Sequence, residues 1–432
     1  MKVIKLTSLF IVFTAIFFFS CSSPGGGEGP DPADEITSIV LSSDKTNLEE
    51  GQRVVFVVKA NTQKDVTSQS EIKVNGSVIS GNSYIPPSGG NYLVKATYKS
   101  LTSNELSITA TVAPVIASVE LTVSSSSIAV GDASEFTLTG TLTDGSTADL
   151  TNNANSTFHI DGTAIDGNRN VGFATGSFVV KGTYKTFTSS EITVQVTAAS
   201  TSSPASFAKK AVIEDYTGTW CGWCPRVAYA IEQVEAQTDK VFAVAAHIGD
   251  NMENTYSTSL NSSFAVTSYP TAYVNRSAKW IYPEPSNVSQ ATNQAQGTAT
   301  NGLSINSMLQ GNTLNVIIGS GFAQVNNDVK MVVFVLEDGI VASQSNYTSY
   351  FGGANPVSNF EHNHVLRHAA TDVLGDVTDG SVGVHQTIFN ISLPSSIANK
   401  DNIGVLVMLV DGTGKVVYNA QYAHVNVDKD FD

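Results

Sequence analysis

Cysteine is nearly absent: the 432 residues hold three. An exported protein stapled by structural disulfides carries more, so the domains outside one close pair must fold on their apolar cores alone. A structural zinc site takes four ligands. No second cysteine pair exists, and the first histidine after Cys224 is His247, which argues against zinc at that pair. Basic residues are also scarce. With 23 Lys and Arg against 38 Asp and Glu, the formal net charge is −15, which makes nucleic acid an unsuitable partner. Charged residues of both signs make up only 14% of the chain, while Ser, Thr, Asn and Gly abound, as in extracytoplasmic β-rich proteins. After residue 20 no apolar run is long enough to cross a bilayer. No Ser-His-Asp or paired-carboxylate arrangement follows from the spacings.

What is present begins with an export signal. Lys2 and Lys5 precede an apolar run from Leu9 to Phe19, too short to span and followed at once by polar sequence. Residues 1–20 are therefore expected to be removed. Phe18-Phe19-Ser20-Cys21 resembles a bacterial lipoprotein cleavage box, although Phe18 stands where Leu is usual. The resemblance implies diacylation of Cys21 and anchoring to a membrane through buried methylenes, at roughly 0.8 kcal/mol each. Residues 21–34, rich in Gly and Pro, read as a flexible tether. By analogy, Ser22 after the Cys suits outer-membrane sorting, so an outer-membrane lipoprotein of a bacterial cell envelope is expected.

An internal repeat comes next. NYLVKATYKSLTSNELSITA at 91–110 returns as SFVVKGTYKTFTSSEITVQV at 177–196, and Gly51 and Phe56 return as Gly131 and Phe136. Apolar and polar residues alternate within each unit and turn residues separate the runs, which predicts β-sandwiches over 35–113 and 114–198. Both resemble bacterial immunoglobulin-like modules. A spacer role is expected for them, with a surface ligand as the alternative.

After a Ser/Thr/Ala linker at 198–207 the texture changes. A strand at 211–213 leads through the cysteines to a helical spacing of Val227, Ile231 and Val234. The apolar run 241–246 reads as a central strand. Then come a helix over 251–265, a hairpin from 271 to 282, and a last helix capped by Ser286 and running to about 296. The order over 205–298 is β-α-β-α-β-β-α. From 299 to 432 alternating runs predict another β-sandwich, interrupted by a loop-rich stretch at 343–384, with Asp411-Gly412-Thr413-Gly414 turning a hairpin.

Two of the three cysteines stand three residues apart in Trp220-Cys221-Gly222-Trp223-Cys224-Pro225, between the first strand and first helix. Order and placement match the thioredoxin fold, and VIEDYTGTWCGWCPR resembles the thioredoxin active-site segment. The resemblance implies a redox-active Cys221–Cys224 disulfide. Cys221, at a helix N-terminus, becomes the nucleophile, with its thiol pKa drawn below the free value of about 8.5. Cys224 resolves the mixed disulfide. Asp215 holds the place of a buried carboxylate that takes the Cys224 proton, the alternative being a strand-end Asp with a local hydrogen bond; Glu214 should face the opposite way. Val266-Thr267-Ser268-Tyr269-Pro270-Thr271 resembles the family's cis-proline loop, the alternative being a trans proline opening a strand. Trp220, Trp223, Tyr269 and Pro270 are the expected partner-contacting residues. No cofactor and no metal are implied.

Glu361-His362-Asn363-His364-Val365-Leu366-Arg367-His368 is the other dense stretch. Its histidines could hold a metal, but capping or packing within the long loop is the expected role. WCGWCPR, SYPTAYVNR and FEHNHVLR together resemble the outer membrane protein 28-related lipoproteins of Bacteroidota, over about 205–432. That family couples a thioredoxin-like domain to a C-terminal β domain and includes proteins named as adhesins or receptors. The expected architecture is thus multidomain: two all-β immunoglobulin-like sandwiches, an α/β thioredoxin-like domain and a C-terminal β-sandwich. The expected activity is thiol–disulfide exchange with protein thiols and disulfides; the alternative is surface binding or adhesion with the thioredoxin-like domain as scaffold.

Overall fold

The computed structural model describes residues 36–61 and 63–432. The expected signal peptide, Cys21 and the expected tether lie outside the described residues. Among the described residues no helix is long and apolar enough to cross a membrane. The chain divides into two compact units, one ending at Val115 and one beginning at Ile116.

The first unit is a pair of facing sheets. Ile39–Ser43, Val54–Ala60 and Ser83–Tyr84 form one; Asn47–Glu49, Leu106–Thr111, Gly90–Tyr98, Glu71–Val74 and Ser77–Val78 form the other, with Leu101–Thr102 beside Gly90–Tyr98. The two-residue period of a strand sends Val54, Phe56 and Val58 inward, where they meet Ile72, Val94, Ala96 and Ile108 of the second sheet.

The second unit opens with the repeated sandwich. Ala133–Leu142 pairs with Ile116–Val123, and Gly176–Tyr184 lies between Ile192–Thr197 and Ser156–Ile160. Gly51 and Gly131, matched in the repeat, both take positive φ (+81° and +98°), a conformation glycine adopts without steric penalty. Contacts with the C-terminal half of the chain fasten this sandwich in place. Val171 joins Met308 and Ile317 in one apolar cluster, and Arg169 pairs with both Glu135 and Asp428.

The remainder is built on one nine-stranded sheet. Its path runs Ala278–Lys279, Thr271–Val274, Ala211–Thr217, Val241–His247, Val365–Ala369, Lys330–Glu337, Ile403–Val410 and Val417–His424, with Asp376–Val377 against Lys330–Glu337. Ala211–Thr217 and Val241–His247 are parallel in full register, and all seven residues of the former are buried. The sheet therefore crosses the expected boundary at 298/299. The physical reason is the edge: a strand as apolar as Val241–His247 would leave unpaired backbone exposed. Val365–Ala369 covers it, through the Ala245–Val365 pair. The expected C-terminal sandwich exists as a layer of three strands, Asn301–Gln310, Thr313–Phe322 and Gly383–Ser392, whose Ile305, Val316 and Ile318 pack on Val333, Val335, Val405 and Val407. Alternate residues of those central strands (Val332, Phe334, Leu406, Met408) enter a second core with Val212, Tyr216, Val244 and Leu260.

The helix Pro225–Glu235 buries Val227, Ala230, Ile231 and Val234 against Ala211, Ile213, Val241 and Ala243. The next helix starts later than expected, at Thr255–Ser263. The Asn254 side chain accepts from the backbone N–H groups of Tyr256 and Ser257, and Ser257 reciprocates, so the cap sits at 254 and Met252 precedes the helix. Ser286 caps nothing. It lies in a 3-10 turn, Glu284–Ser286, because the indole N–H of Trp280 donates to the Asn287 carbonyl (2.9 Å) and the helical turn Ser289–Thr292 starts only beyond it. The stretch 343–384 is more ordered than expected: Ile340–Gln344 and Val357–His362 form a hairpin, and Val365–Ala369 is the strand that covers Val241–His247.

Candidate functional site

The strand Ala211–Thr217 ends at a tight segment, 218–224, before the helix. Cys221 N–H donates to Gly218 O (3.0 Å) and Cys224 N–H to Cys221 O (3.2 Å), so Cys224 stands at the helix N-cap and Pro225 at its first position, where a missing N–H leaves no acceptor unserved. Cys221 and Cys224 are joined in a disulfide, with Cα atoms 5.4 Å apart. The dipole of this helix end favours negative charge on either sulfur once the bond is reduced.

Trp220 and Trp223 flank the disulfide, 49% and 52% exposed. Trp220 donates its indole N–H to Ile248 O (2.7 Å) and stands edge-on to Tyr269, ring centres 5.4 Å apart. That contact joins the cysteine segment to the loop before Thr271–Val274. The Tyr269–Pro270 peptide bond is cis, and the Tyr269 hydroxyl donates to Asn261 (2.8 Å).

Both cysteines are buried, at 4% and 2% exposure. The cover comes from a strap at 344–347 that sequence reasoning missed. The Gln344 side-chain amide donates to Cys221 O (3.0 Å) and Gly218 O (3.3 Å). Ser345 N–H donates to Thr219 O (2.8 Å) and Tyr347 N–H to Gly222 O (2.7 Å). The Tyr347 ring lies over Gly222 so closely that a Cβ there would be 2.4 Å from it, and it stands edge-on to Trp223 at 5.9 Å. Glycine at 222 is thus required by the strap. An aromatic pair contributes about 0.5–1.5 kcal/mol beyond area burial. Tyr347→Ala is accordingly expected to raise the rate at which dithiothreitol reduces the disulfide about two- to tenfold. An unchanged rate by thiol counting would show that the strap does not shield the bond.

Behind the disulfide is a cavity of about 60 Å³ lined by Asp215, Thr217, Cys224, His247, Gln344 and His362, among others. Asp215 is 3% exposed, and its Oδ1 has no hydrogen-bond partner. Burial pushes its carboxyl well above the usual carboxylate range; the charge of Glu284 adds to this and that of Arg226 opposes it. Arg226 and Glu284 are themselves paired, Nε to Oε2 at 2.6 Å. Glu214 faces the other way, where Arg276 meets it at 2.8 Å.

The three histidines of the 361–368 stretch diverge. His362 faces the cavity. His364, at a turn with φ +59°, meets Glu235 (3.0 Å) and Asp338 (3.5 Å). Burial opposes charge on its ring, but the hydrogen bond and charge of Glu235, with Asp338, raise its pKa overall. His368 contacts the Tyr256 hydroxyl at 3.0 Å. Among the described residues no group of three or more His, Cys, Asp or Glu side chains is arranged to hold a metal ion. His247, which also lines the cavity, pairs through Nδ1 with Asp250 (2.8 Å). Burial alone would raise the Asp250 carboxyl, but His247 and the N–H groups of Thr219 and Met252 bring it down to about 2.

Comparison with known proteins gives distant structural likenesses. The chain is similar to HBP35 of Porphyromonas gingivalis at 18% identity, over 51% of this chain and 76% of that one, with a TM-score of 0.40. It is similar to the surface layer protein SbsC, domains 1-6, at 16% identity over 39% of this chain and 28% of that one, TM-score 0.28. A glycosyl hydrolase family 2 member from Bacteroides cellulosilyticus gives 15% identity over 34% and 23%, TM-score 0.16. No curated protein matches the chain. In sequence, residues 257–429 match the family described as Outer membrane protein Omp28, a span that takes in the Tyr269–Pro270 loop, the strap and the histidines and begins beyond Cys221 and Cys224.

Proposed function

We propose that this chain is an extracytoplasmic thiol–disulfide oxidoreductase, lipid-anchored through Cys21 in the outer membrane of a bacterial cell envelope, acting on protein cysteines through Cys221 and Cys224. In this reading 205–298 is a thioredoxin-like domain and the two β units before it are immunoglobulin-like modules with a spacer role. The observation that carries the proposal is the pairing of a helix-terminal disulfide with a buried carboxylate: Asp215, Oδ1 unpaired, shares a cavity with Cys224.

Starting from the dithiol, the Cys221 thiolate attacks one sulfur of a client disulfide. A Cys221–client S–S bond forms and the other client sulfur leaves as a thiolate. Cys224 then gives its proton to the Asp215 carboxylate, and its sulfur attacks Cys221 Sγ. The mixed disulfide breaks, the second client thiolate leaves, and the Cys221–Cys224 disulfide is restored. The client gains two electrons and the pair loses two. Run backwards, the same steps oxidise a client dithiol. Trp220, Trp223, Tyr269 and Pro270 would contact the client.

Trapping tests this directly. Cys224→Ser removes the resolving sulfur, so client proteins should accumulate as mixed disulfides on Cys221 in envelope extracts and be released by dithiothreitol. An empty trap, with no activity from the wild type in either direction, would sink the proposal. The second reading is a surface binding or adhesion protein using this domain as a scaffold. The observation favouring it is the burial of Cys221 under the strap at 4% exposure.

A further inference from the structure

The stretch around the three histidines resolves into one residue with a place in the chemistry. His362 ends the strand Val357–His362, is 5% exposed, and its Nε2 has no hydrogen-bond partner. It lines the cavity that also holds Asp215 and Cys224. Two buried polar side chains with unpaired atoms on one small cavity are uncommon, because each unpaired group costs about 1–3 kcal/mol. A cavity of about 60 Å³ can admit water to serve both.

We propose that His362 is a positioning residue for the resolving step: its imidazole completes the hydrogen-bonded route by which the Cys224 proton, once on Asp215, leaves the interior. This rests on the dithiol chemistry proposed above. A neutral imidazole suits the task because it offers one donor and one acceptor. Burial keeps it neutral, pushing its pKa down to about 4, with His247 contributing and Asp250 opposing. The titratable groups facing the cavity are Asp215 from the first strand, His247 from the second, Glu232 and Glu235 from the helix, and Glu361 and His364 from His362's own side. Glu235, the half-exposed partner of His364, puts the route's outer end at the surface.

The test uses the reduced full-length protein and dithiobis-nitrobenzoate. Cys221 attacks the reagent and expels one thionitrobenzoate; Cys224 then resolves the mixed disulfide and expels a second. The second phase reads the resolving step without any natural client. His362→Leu should slow that phase about tenfold at neutral pH. It should also shift the rise of the phase's pH profile upward and leave the first phase unchanged. His362→Gln, which can still donate and accept, should recover most of the rate. A second phase in His362→Leu with the wild-type rate and pH profile would overturn the proposal. So would a His362→Gln variant as slow as His362→Leu. Should the leucine variant fail to fold, His362→Ala takes its place under the same two criteria. A wild type that shows both phases yet reduces no protein disulfide would sink the oxidoreductase reading and leave this proposal standing.

Discussion

Under the exchange chemistry proposed above, Cys221→Ser should abolish both insulin-disulfide reduction and dithiol oxidation by the purified protein, to the uncatalysed level. A serine hydroxyl is not ionised at neutral pH and cannot enter a thiol–disulfide exchange, so no partial activity through the same route is available. The substitution also removes a covalent link, and the size of that effect decides whether lost activity could simply be lost structure. The disulfide closes a loop of sequence separation three. On the chain-entropy account so short a loop contributes about 2 kcal/mol. The helix Pro225–Glu235 is held independently by Val227, Ala230, Ile231 and Val234 in the apolar core. Circular dichroism of the variant should therefore match wild type while activity vanishes. Retained turnover in Cys221→Ser would remove this cysteine from the nucleophile's role.

The largest expected effect on stability lies on the opposite face of the same strand. Glu214 and Arg276 have no exposed side-chain surface, and Arg276 also donates through Nη1 to Gly414 O (2.9 Å). The Tyr216 hydroxyl donates to the second Glu214 oxygen (3.3 Å). Arg276→Ala leaves the Glu214 carboxylate buried without its counter-charge and Gly414 O without its donor. Breaking a buried pair from one side costs about 3–5 kcal/mol, whereas replacing both partners with apolar residues of similar volume is often near neutral. Urea unfolding should show a loss of that order for Arg276→Ala and recovery of most of it in Glu214→Leu/Arg276→Met. A loss under about 1 kcal/mol in the single variant would mean that water reaches the pair.

Much of the site was legible because its parts are close in sequence. Asp215 lies six residues before Cys221, and strand alternation alone puts it on the face opposite Glu214. The structure has Asp215 on the cavity behind Cys224 and Glu214 against Arg276. The sandwich repeat was legible for the same kind of reason, since Val54, Phe56 and Val58 and their counterparts carry a two-residue period whatever they pack on. The helix over 251–265 was legible in type but not in start, because the reciprocal bonds of Asn254 and Ser257 set its cap at 254.

By itself, then, the sequence determined the local order: two alternating β units, a strand, a cysteine pair, and a helix opened by Pro225. Each of those is set by near neighbours. Tertiary structure decided what surrounds the pair. Gln344 reaches Cys221 O across 123 residues, Val365–Ala369 joins the sheet beside Val241–His247, and His362 meets Asp215 and Cys224 only across a shared cavity. Contacts at such separations leave no periodicity to read. They arise because an apolar strand edge must be covered, and the chain that covers it brings a strap and a histidine along.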